Sequence, residues 1–450
     1  MKFLLISANT CTEPYPVYPL ALTYLSTALR NEFKDMEIVI YDVNIHGGSD
    51  LGKFVSELRP DFTGISLRNI DNVNLYNGKN YINDYRELVK TVKNSSNSVV
   101  IAGGAGFSIY PEKLFAYLGC DLGVCGEGES TLVELVKALK NKSDLSGIEG
   151  LVHLHDGKVV VNKRTGYFKG ISFDIDEKLS DFYWTGSGMM NIQTKRGCPY
   201  HCVYCSYPVI EGRTVRMLDP ESVVTTIEKS VARGLDYFFF TDSVFNMNAD
   251  YNRQLAELII KRGISVKWGA YFRPAGTTFE DLELYKKSGL THIEFGTESF
   301  SDSVLKSYGK EFSFEDIKNY TEMCRELKIY NAHFLILGGY GETEQTLAET
   351  FERSKELPWT VFFPFIGMRI YPHTPLYKIC LNESVITADD DLMQSKYYLA
   401  KDVDLSNEKL KAAALATGRK WVFPDEDHSK ILKKMKSRGK RGPLWEFLIS

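Results

Sequence analysis

No stretch of this chain approaches the roughly 18 consecutive apolar residues that cross a bilayer as a helix. The opening "MKFLLISANT" has a short apolar run that gives way to a polar loop, with no cleavage-like region, so no secretory leader is expected. A large excess of one charge sign is also lacking. The net charge of −4 spread over 450 residues gives no sign of nucleic-acid binding. One basic run stands out, "KILKKMKSRGKRG" at Lys430–Gly442, and it reads as the solvated face of a terminal helix. No internal repeat and no low-complexity segment is visible. Of the eight cysteines, five (Cys11, Cys120, Cys125, Cys324, Cys380) are scattered through apolar or mixed sequence, which argues against a disulfide framework. A reduced, cytoplasmic protein is expected, with no transmembrane segment and no nucleic-acid partner.

The hydrophobic content of 44% and charged content of 25% suit a soluble globular protein, and the length suggests two or three domains. Up to residue 143, short β-branched runs ("KFLLIS", "EIVIYD", "FTGISL", "SVVIAGG", "LGVCG") alternate with helical patterns. That rhythm predicts an α/β domain with a parallel sheet covered on both faces, whose ligands bind at the carboxyl ends of the strands. The loops there are "SANTCTEPYP", "DVNIHGG", "SLRN" and "GGAG". Residues 144–187 read as a bridge: a hairpin with an Asp156-Gly157 turn, then a linker. A second alternating block over 188–375 offers six strands ("MMNIQT", "YFFFT", "VKWGAY", "HIEFG", "AHFLIL", "VFFPFIGMRI"). Helices are expected between them near 220–233, 250–262, 279–288, 302–327 and 343–356. Six units predict a partial (β/α)6 barrel of the TIM type. Residues 376–450 read as a small, mostly helical cap.

The remaining three cysteines sit together in "KRGCPYHCVYCSYP", as Cys198, Cys202 and Cys205, just past the first barrel strand. Three thiolates can hold three irons of a [4Fe–4S] cluster and leave the fourth open to a non-protein ligand. Two other readings stand beside this one: unrelated buried cysteines, and a zinc site completed by His201 or a distant histidine.

The pattern C-x₃-C-x-aromatic-C, with Tyr204 before the last cysteine, resembles the signature of the radical S-adenosylmethionine (radical SAM) enzymes. The resemblance implies that S-adenosylmethionine binds the open iron and is cleaved to a 5′-deoxyadenosyl radical. An external one-electron donor such as flavodoxin or ferredoxin would then be a partner. It further implies cosubstrate-binding roles for Tyr204 near the adenine, for Thr241, Asp242 and Ser243 in "FFFTDSVF", and for Arg273 in "YFRP". Glu298 and Ser299 in "FGTESFSDSVLKSYGK" join them. Plainer readings are cluster cover for Tyr204, a solvated loop acid for Asp242, and a helix cap for Glu298 and Ser299. The loop "GGYGETEQT", with Glu342 and Thr343, reads as a helix start.

The N-terminal block resembles the cobalamin-binding, Rossmann-like domain that precedes the radical module in one large subfamily. The matching stretches are "YPLALTYLSTALR", "SLRN", "IAGGAGFSIYPE" and "CGEGESTLVEL". Cobalamin contacts are implied for Asn44, Ser66, Gly103, Gly104 and Glu127. In "DVNIHG", Asn44 stands where cobalamin mutases place a cobalt-binding histidine, and His46 follows two residues later. Cobalamin bound without a protein histidine below cobalt is expected, with loss of cobalamin as the other possibility. "MRIYPHTPLYKI" and "SKYYLAK" are similar to a subgroup found in lipid-biosynthesis settings, which places Tyr371, Pro372, His373 and Thr374 beside the substrate.

Together these resemblances imply a cobalamin-dependent radical SAM enzyme that methylates an unactivated carbon of a small-molecule or lipid-type substrate. The same cofactors also serve ring rearrangement, cyclisation or oxidation. A cobalamin or redox sensor without catalysis is the third possibility.

Overall fold

The computed structural model describes residues 1–167, 173 and 175–449. The chain forms two compact units. The first comprises 1–72, 79–186 and 206–212; the second comprises 73–78, 187–205 and 213–450.

The first unit is built on a seven-stranded sheet. Its strands are β1 (Lys2–Ser7), β2 (Glu37–Asp42), β3 (Phe62–Ser66), β4 (Val99–Gly103), β5 (Leu122–Val124), β6 (Leu151–His155) and β7 (Lys158–Val161), in the order β2-β1-β3-β4-β5-β6-β7. The five expected strands are all present and parallel, because Val, Ile, Leu and Phe runs with no polar alternation suit a sheet buried on both faces. The helices Leu20–Glu32 and Glu129–Asn141 cover the sheet, and Leu22, Leu29, Leu132 and Leu135 pack with Phe3, Leu5 and Ile101.

The expected hairpin forms, but it joins this sheet antiparallel to β5 and so is part of the α/β layer. The stretch read as a linker after it contains a helix, Glu177–Ser187, and that reading is corrected. Tyr183 of this helix is fully buried, which gives the segment an apolar anchor that its Gly and Thr residues conceal in the sequence. The part of the expected linker at 168–172 and 174 lies outside the described residues.

The second unit contains β8 (Met190–Ile192), β9 (Lys195–Arg196), β10 (Arg216–Met217), β11 (Tyr237–Phe240), β12 (Lys267–Phe272), β13 (Leu290–Glu298), β14 (Tyr330–Leu337), β15 (Thr360–Ile366), β16 (Met368–Arg369), β17 (Tyr397–Tyr398) and β18 (Lys420–Trp421). Its main sheet runs β18-β15-β14-β13-β12-β11-β8, all parallel. The six expected barrel strands are there in sequential order. A seventh, β18, comes from the C-terminal region, where two residues are too few to show a period. The region read as one helix over 302–327 is two, Asp302–Ser307 and Phe314–Glu326, separated by Gly309 in a left-handed conformation and restarted by a Ser313/Asp316 capping box. Helices Pro375–Asn382, Asn407–Ala416 and Ser429–Ser437 lie in the C-terminal region, but they cover less than half of it. The expectation of a mostly helical cap is corrected: turns, loops and the short strands β17 and β18 make up most of the rest.

Candidate functional site

In the second unit the cysteine loop begins where β8 ends. Asp242, just past β11, is fully buried and holds the start of that loop. Its carboxylate accepts hydrogen bonds from the backbone N–H groups of Thr194 (2.6 Å) and Lys195 (2.9 Å) and from the Thr194 hydroxyl. The fully buried Lys195 ammonium lies 3.2 Å from the same carboxylate and over the rings of Phe245 and Tyr251. Burial draws the Lys195 ammonium down, against the opposing pull of Asp242. Asp242, expected at the cosubstrate, therefore has its oxygens engaged by the chain itself. Gly197 follows with φ +86, where a Cβ would strike the Thr214 carbonyl, so only glycine makes this turn.

Cys198 is buried; Cys202 and Cys205 are half-buried. The loop is tied at two points from outside and braced once within itself. The Val203 N–H donates to the Tyr308 carbonyl (3.0 Å), the Leu376 N–H donates to the Val203 carbonyl (2.8 Å), and the Cys205 N–H donates to the Cys202 carbonyl (3.3 Å). At Gly309 a Cβ would lie 2.5 Å from the His201 carbonyl, so the helix break after Ser307 is what allows the loop to seat. His201 is exposed and its Nδ1 meets the Arg213 guanidinium at 3.2 Å, which turns it away from a zinc-ligand role. Among the described residues no three Cys, His, Asp or Glu side chains are gathered closely enough for a single metal ion. A cubic cluster takes its thiolates on separate irons and spreads them wider, so the donor set of three thiols, none of them in a disulfide, fits a [4Fe–4S] group.

Beside the thiols stands an ionic group of which the sequence reading named Tyr204 and Glu298 but missed Lys310. The Lys310 ammonium, almost fully buried, contacts the Glu298 carboxylate (3.3 Å) and the Gly296 carbonyl (3.0 Å). It sits 5.5 Å from the Tyr204 ring centroid. Burial alone would lower Lys310, but Glu298 with Cys202 and Cys205 outweighs it and holds the ammonium above its ordinary value. Tyr204 donates its hydroxyl to Glu298 (2.6 Å), and burial followed by Glu298 and the two thiols pushes the phenol well up. Glu298 itself has φ +72 at a register shift between β13 and β14, a strained non-glycine backbone of the kind found at functional sites. The signal for Lys310 lay in "SYGK", directly after the glycine that seats the cysteine loop.

The other expected cosubstrate residues divide. Arg273 stacks on Tyr200 of the cysteine loop (4.2 Å) and donates to the Glu311 carbonyl (3.2 Å), so it does border the triad loop. The Ser243 hydroxyl donates to the Gly197 carbonyl (3.2 Å), and Thr241 to the Ile192 carbonyl (3.2 Å). Ser299 is buried and bonded to Thr350 (3.2 Å), on the helix side of its strand. Glu342 is buried with its carboxylate on the Gly338 N–H, and Thr343 caps the helix Glu344–Ser354, as the plain reading had it.

In the first unit the expected contacts lie at or just beyond the carboxyl ends of the strands. Asp42 ends β2, is buried, and caps a one-turn helix, Val43–His46, by accepting the Asn44 N–H (2.9 Å). The Tyr183 hydroxyl also donates to Asp42 (2.8 Å); burial raises the carboxyl despite these bonds. The Asn44 amide reaches Tyr183 at 3.4 Å. The His46 ring is stacked on Tyr41 with its Nδ1 3.0 Å from the Asp42 carbonyl, so it is held by its own loop. Ser66, half-buried, ends β3. At Gly104, φ is +100 and a Cβ would lie 2.6 Å from the Leu67 carbonyl: the "SLRN" and "GGAG" loops touch backbone to backbone. Glu127 is buried, and Arg164 binds its carbonyl (2.7 Å), that of Cys125 (3.1 Å) and the Thr131 hydroxyl (3.0 Å), a brace invisible in the local sequence. Strand-end polar groups joined by a glycine-only turn fit a cobalamin seat of the α/β type.

Residues 192–353 match the radical SAM superfamily, and residues 7–136 match the B12 binding domain. The chain is 25% identical to an uncharacterised methyltransferase of Pyrococcus horikoshii, over 86% of this chain and 85% of that one. It is 24% identical to tryptophan 2-C-methyltransferase of Streptomyces laurentii, over 81% and 72%. Its fold is shared with the radical S-adenosylmethionine methyltransferase TsrM of Kitasatospora setae, at a TM-score of 0.87 and 22% identity, covering 99% of this chain and 96% of that one. No helix among the described residues is long and apolar enough to cross a membrane. With the two domains matched in this order and the cysteine triad on its loop, the chain is an enzyme of the radical SAM superfamily that carries a B12-binding domain ahead of its radical SAM domain.

Proposed function

We propose that this enzyme is a cobalamin-dependent methyltransferase acting on an unactivated carbon of a small molecule. The observation that carries the reading is the triad loop with the Lys310–Glu298–Tyr204 group beside it, in a chain that also has the B12-binding domain. Methyltransferases among the relatives that span most of this chain support it. Cys198, Cys202 and Cys205 would hold a [4Fe–4S] cluster; Asn44, Ser66, Gly103, Gly104 and Glu127 are the candidates for cobalamin. Bound there, these groups with S-adenosylmethionine supply a radical that removes a substrate hydrogen and a methyl donor that an sp³ carbon, lacking a lone pair, otherwise cannot use. The chain's own part is placement and exclusion of water. Tyr204, Arg273 and Glu298 border the cysteine loop, and Lys310 keeps a positive charge among thiolates and carboxylate. An electron donor of the flavodoxin or ferredoxin kind completes the reaction.

The test is anaerobic reconstitution of the full chain with iron, sulfide and cobalamin. About four irons and cobalt in near-equal amount to protein are expected. Reduction with S-adenosylmethionine should then yield S-adenosylhomocysteine in proportion to cobalt. Iron without retained cobalt, or 5′-deoxyadenosine with no S-adenosylhomocysteine, overturns methyl transfer in favour of another radical reaction.

A further inference from the structure

We propose that Glu294 determines substrate choice by accepting a hydrogen bond from a nitrogen donor on a flat, largely apolar substrate lying on the concave face of the second unit's sheet. The inference rests on the reading that this enzyme acts on a small molecule.

The face is fixed by register. Glu294 on β13 lies opposite Tyr271 on β12 and Ala332 on β14, so all three side chains share one side of the sheet. Their neighbour Phe295 points the other way, stacked with His333 (5.0 Å) and edge-on to Tyr320 of the helix Phe314–Glu326. Glu294 therefore faces the inside of the curved sheet. Closed barrels fill that space with packed side chains. Here it is left partly open: Tyr271 is 40% exposed, and Phe334, Phe363 and Phe365 are only half-buried although they belong to inner strands. Phe334 and Phe363 stack at 5.1 Å and 14°, presenting a flat aromatic wall.

At one end the space is closed by Trp445, which packs on Ala332 and Val361 and donates its Nε1–H to Glu294 Oε1 at 3.1 Å. Among the described residues that indole is the hydrogen-bond partner Glu294 has. The carboxyl is more than nine-tenths buried, and burial pushes it up to about 7 with Trp445 opposing. The second carboxyl oxygen is not among the sealed, unpartnered polar atoms, so it reaches the open space, where a donor on a ligand meets a largely desolvated acceptor. A phosphate or carboxylate at that spot would meet the ionised fraction of this carboxyl and an apolar wall. An amine or ring N–H on a planar body meets an acceptor and stacking surface at once.

Indole serves as the probe, with benzofuran and N-methylindole as analogues lacking the N–H. Equilibrium dialysis against the reconstituted full chain should show indole bound about tenfold more tightly than either, the range of one hydrogen bond to a carboxylate. Glu294→Leu should level the three, and Glu294→Gln, which folds with the same shape and keeps a weaker acceptor, should cut the preference several-fold. No preference in the unmodified chain, or a preference that both variants leave intact, overturns the proposal. Methyl transfer is read separately, from S-adenosylhomocysteine in the unmodified enzyme. Loss of that product with the indole preference kept would sink the functional reading alone.

Discussion

Lys310 is the residue on which the triad's surroundings turn. Its side chain is 8% exposed and that of Glu298 12%, so neither charge is screened by water. A pair of this kind contributes little net stability when intact, but removal of one member leaves an uncompensated buried charge at about 3–5 kcal/mol. Lys310→Met should therefore lower the melting temperature of the reconstituted enzyme markedly. The double variant Lys310→Met with Glu298→Gln should recover at least half of that loss. A double variant no more stable than Lys310→Met would show that the two charges do not act as a pair. The contrast with Asp242 shows what a sequence can carry at this scale. Asp242 follows a barrel strand and Lys310 follows the short helix Asp302–Ser307, and only the fold reveals that Asp242 is closed in by Thr194 and Lys195 while Lys310 faces Cys202 and Cys205. Residue type and loop position were readable; which way each side chain turns was not, because it depends on partners far away in the sequence, such as Thr194 for Asp242 and Cys202 for Lys310.

At the scale of elements, the strands were legible because parallel strands covered on both faces must be apolar throughout, as "YFFF" is. The segment Glu177–Ser187 was not, since its helix is held by the buried Leu179 and Tyr183 and by the bond of Tyr183 to Asp42, too few apolar positions to show a period. Nor was the break at Gly309, where tertiary contact with His201 overrides a helical pattern on both sides. Turns that only glycine can make are the connection between element and site. Gly104→Ala must place a methyl group 2.6 Å from the Leu67 carbonyl at φ +100, costing about 1–3 kcal/mol of backbone strain and moving the "SLRN" loop. Gly119, at the end of the helix Pro111–Leu118, has φ +69 but open space around it. The expected outcome is that Gly104→Ala weakens cobalamin retention, measured as cobalt per chain after desalting. Gly119→Ala should lower the melting temperature slightly and leave cobalt unchanged. Equal cobalt in both variants would remove Gly104 from the cobalamin seat.

At the scale of the whole molecule, each unit has its own seven-stranded sheet and its own apolar core, one around Leu5, Ile101 and Leu135, the other around Leu335, Leu347 and Phe362. Neither sheet borrows a strand from the other, so the two cofactors should load independently. The arrangement of the chain sets one condition on the test. Residues 206–212, directly after Cys205, belong to the first unit, so unfolding that unit would disturb the triad as well. A substitution that strains one loop without dissolving the sheet is the suitable probe on that side, and loss of one thiol is the suitable probe on the other. Cys202→Ala should abolish the iron-sulfur absorbance and the cleavage of S-adenosylmethionine while cobalt per chain stays near the unmodified level. Gly104→Ala should do the reverse, with iron kept and cobalt reduced. If Cys202→Ala lost cobalt in step with iron, the two seats would be thermodynamically linked, and independent loading would be wrong.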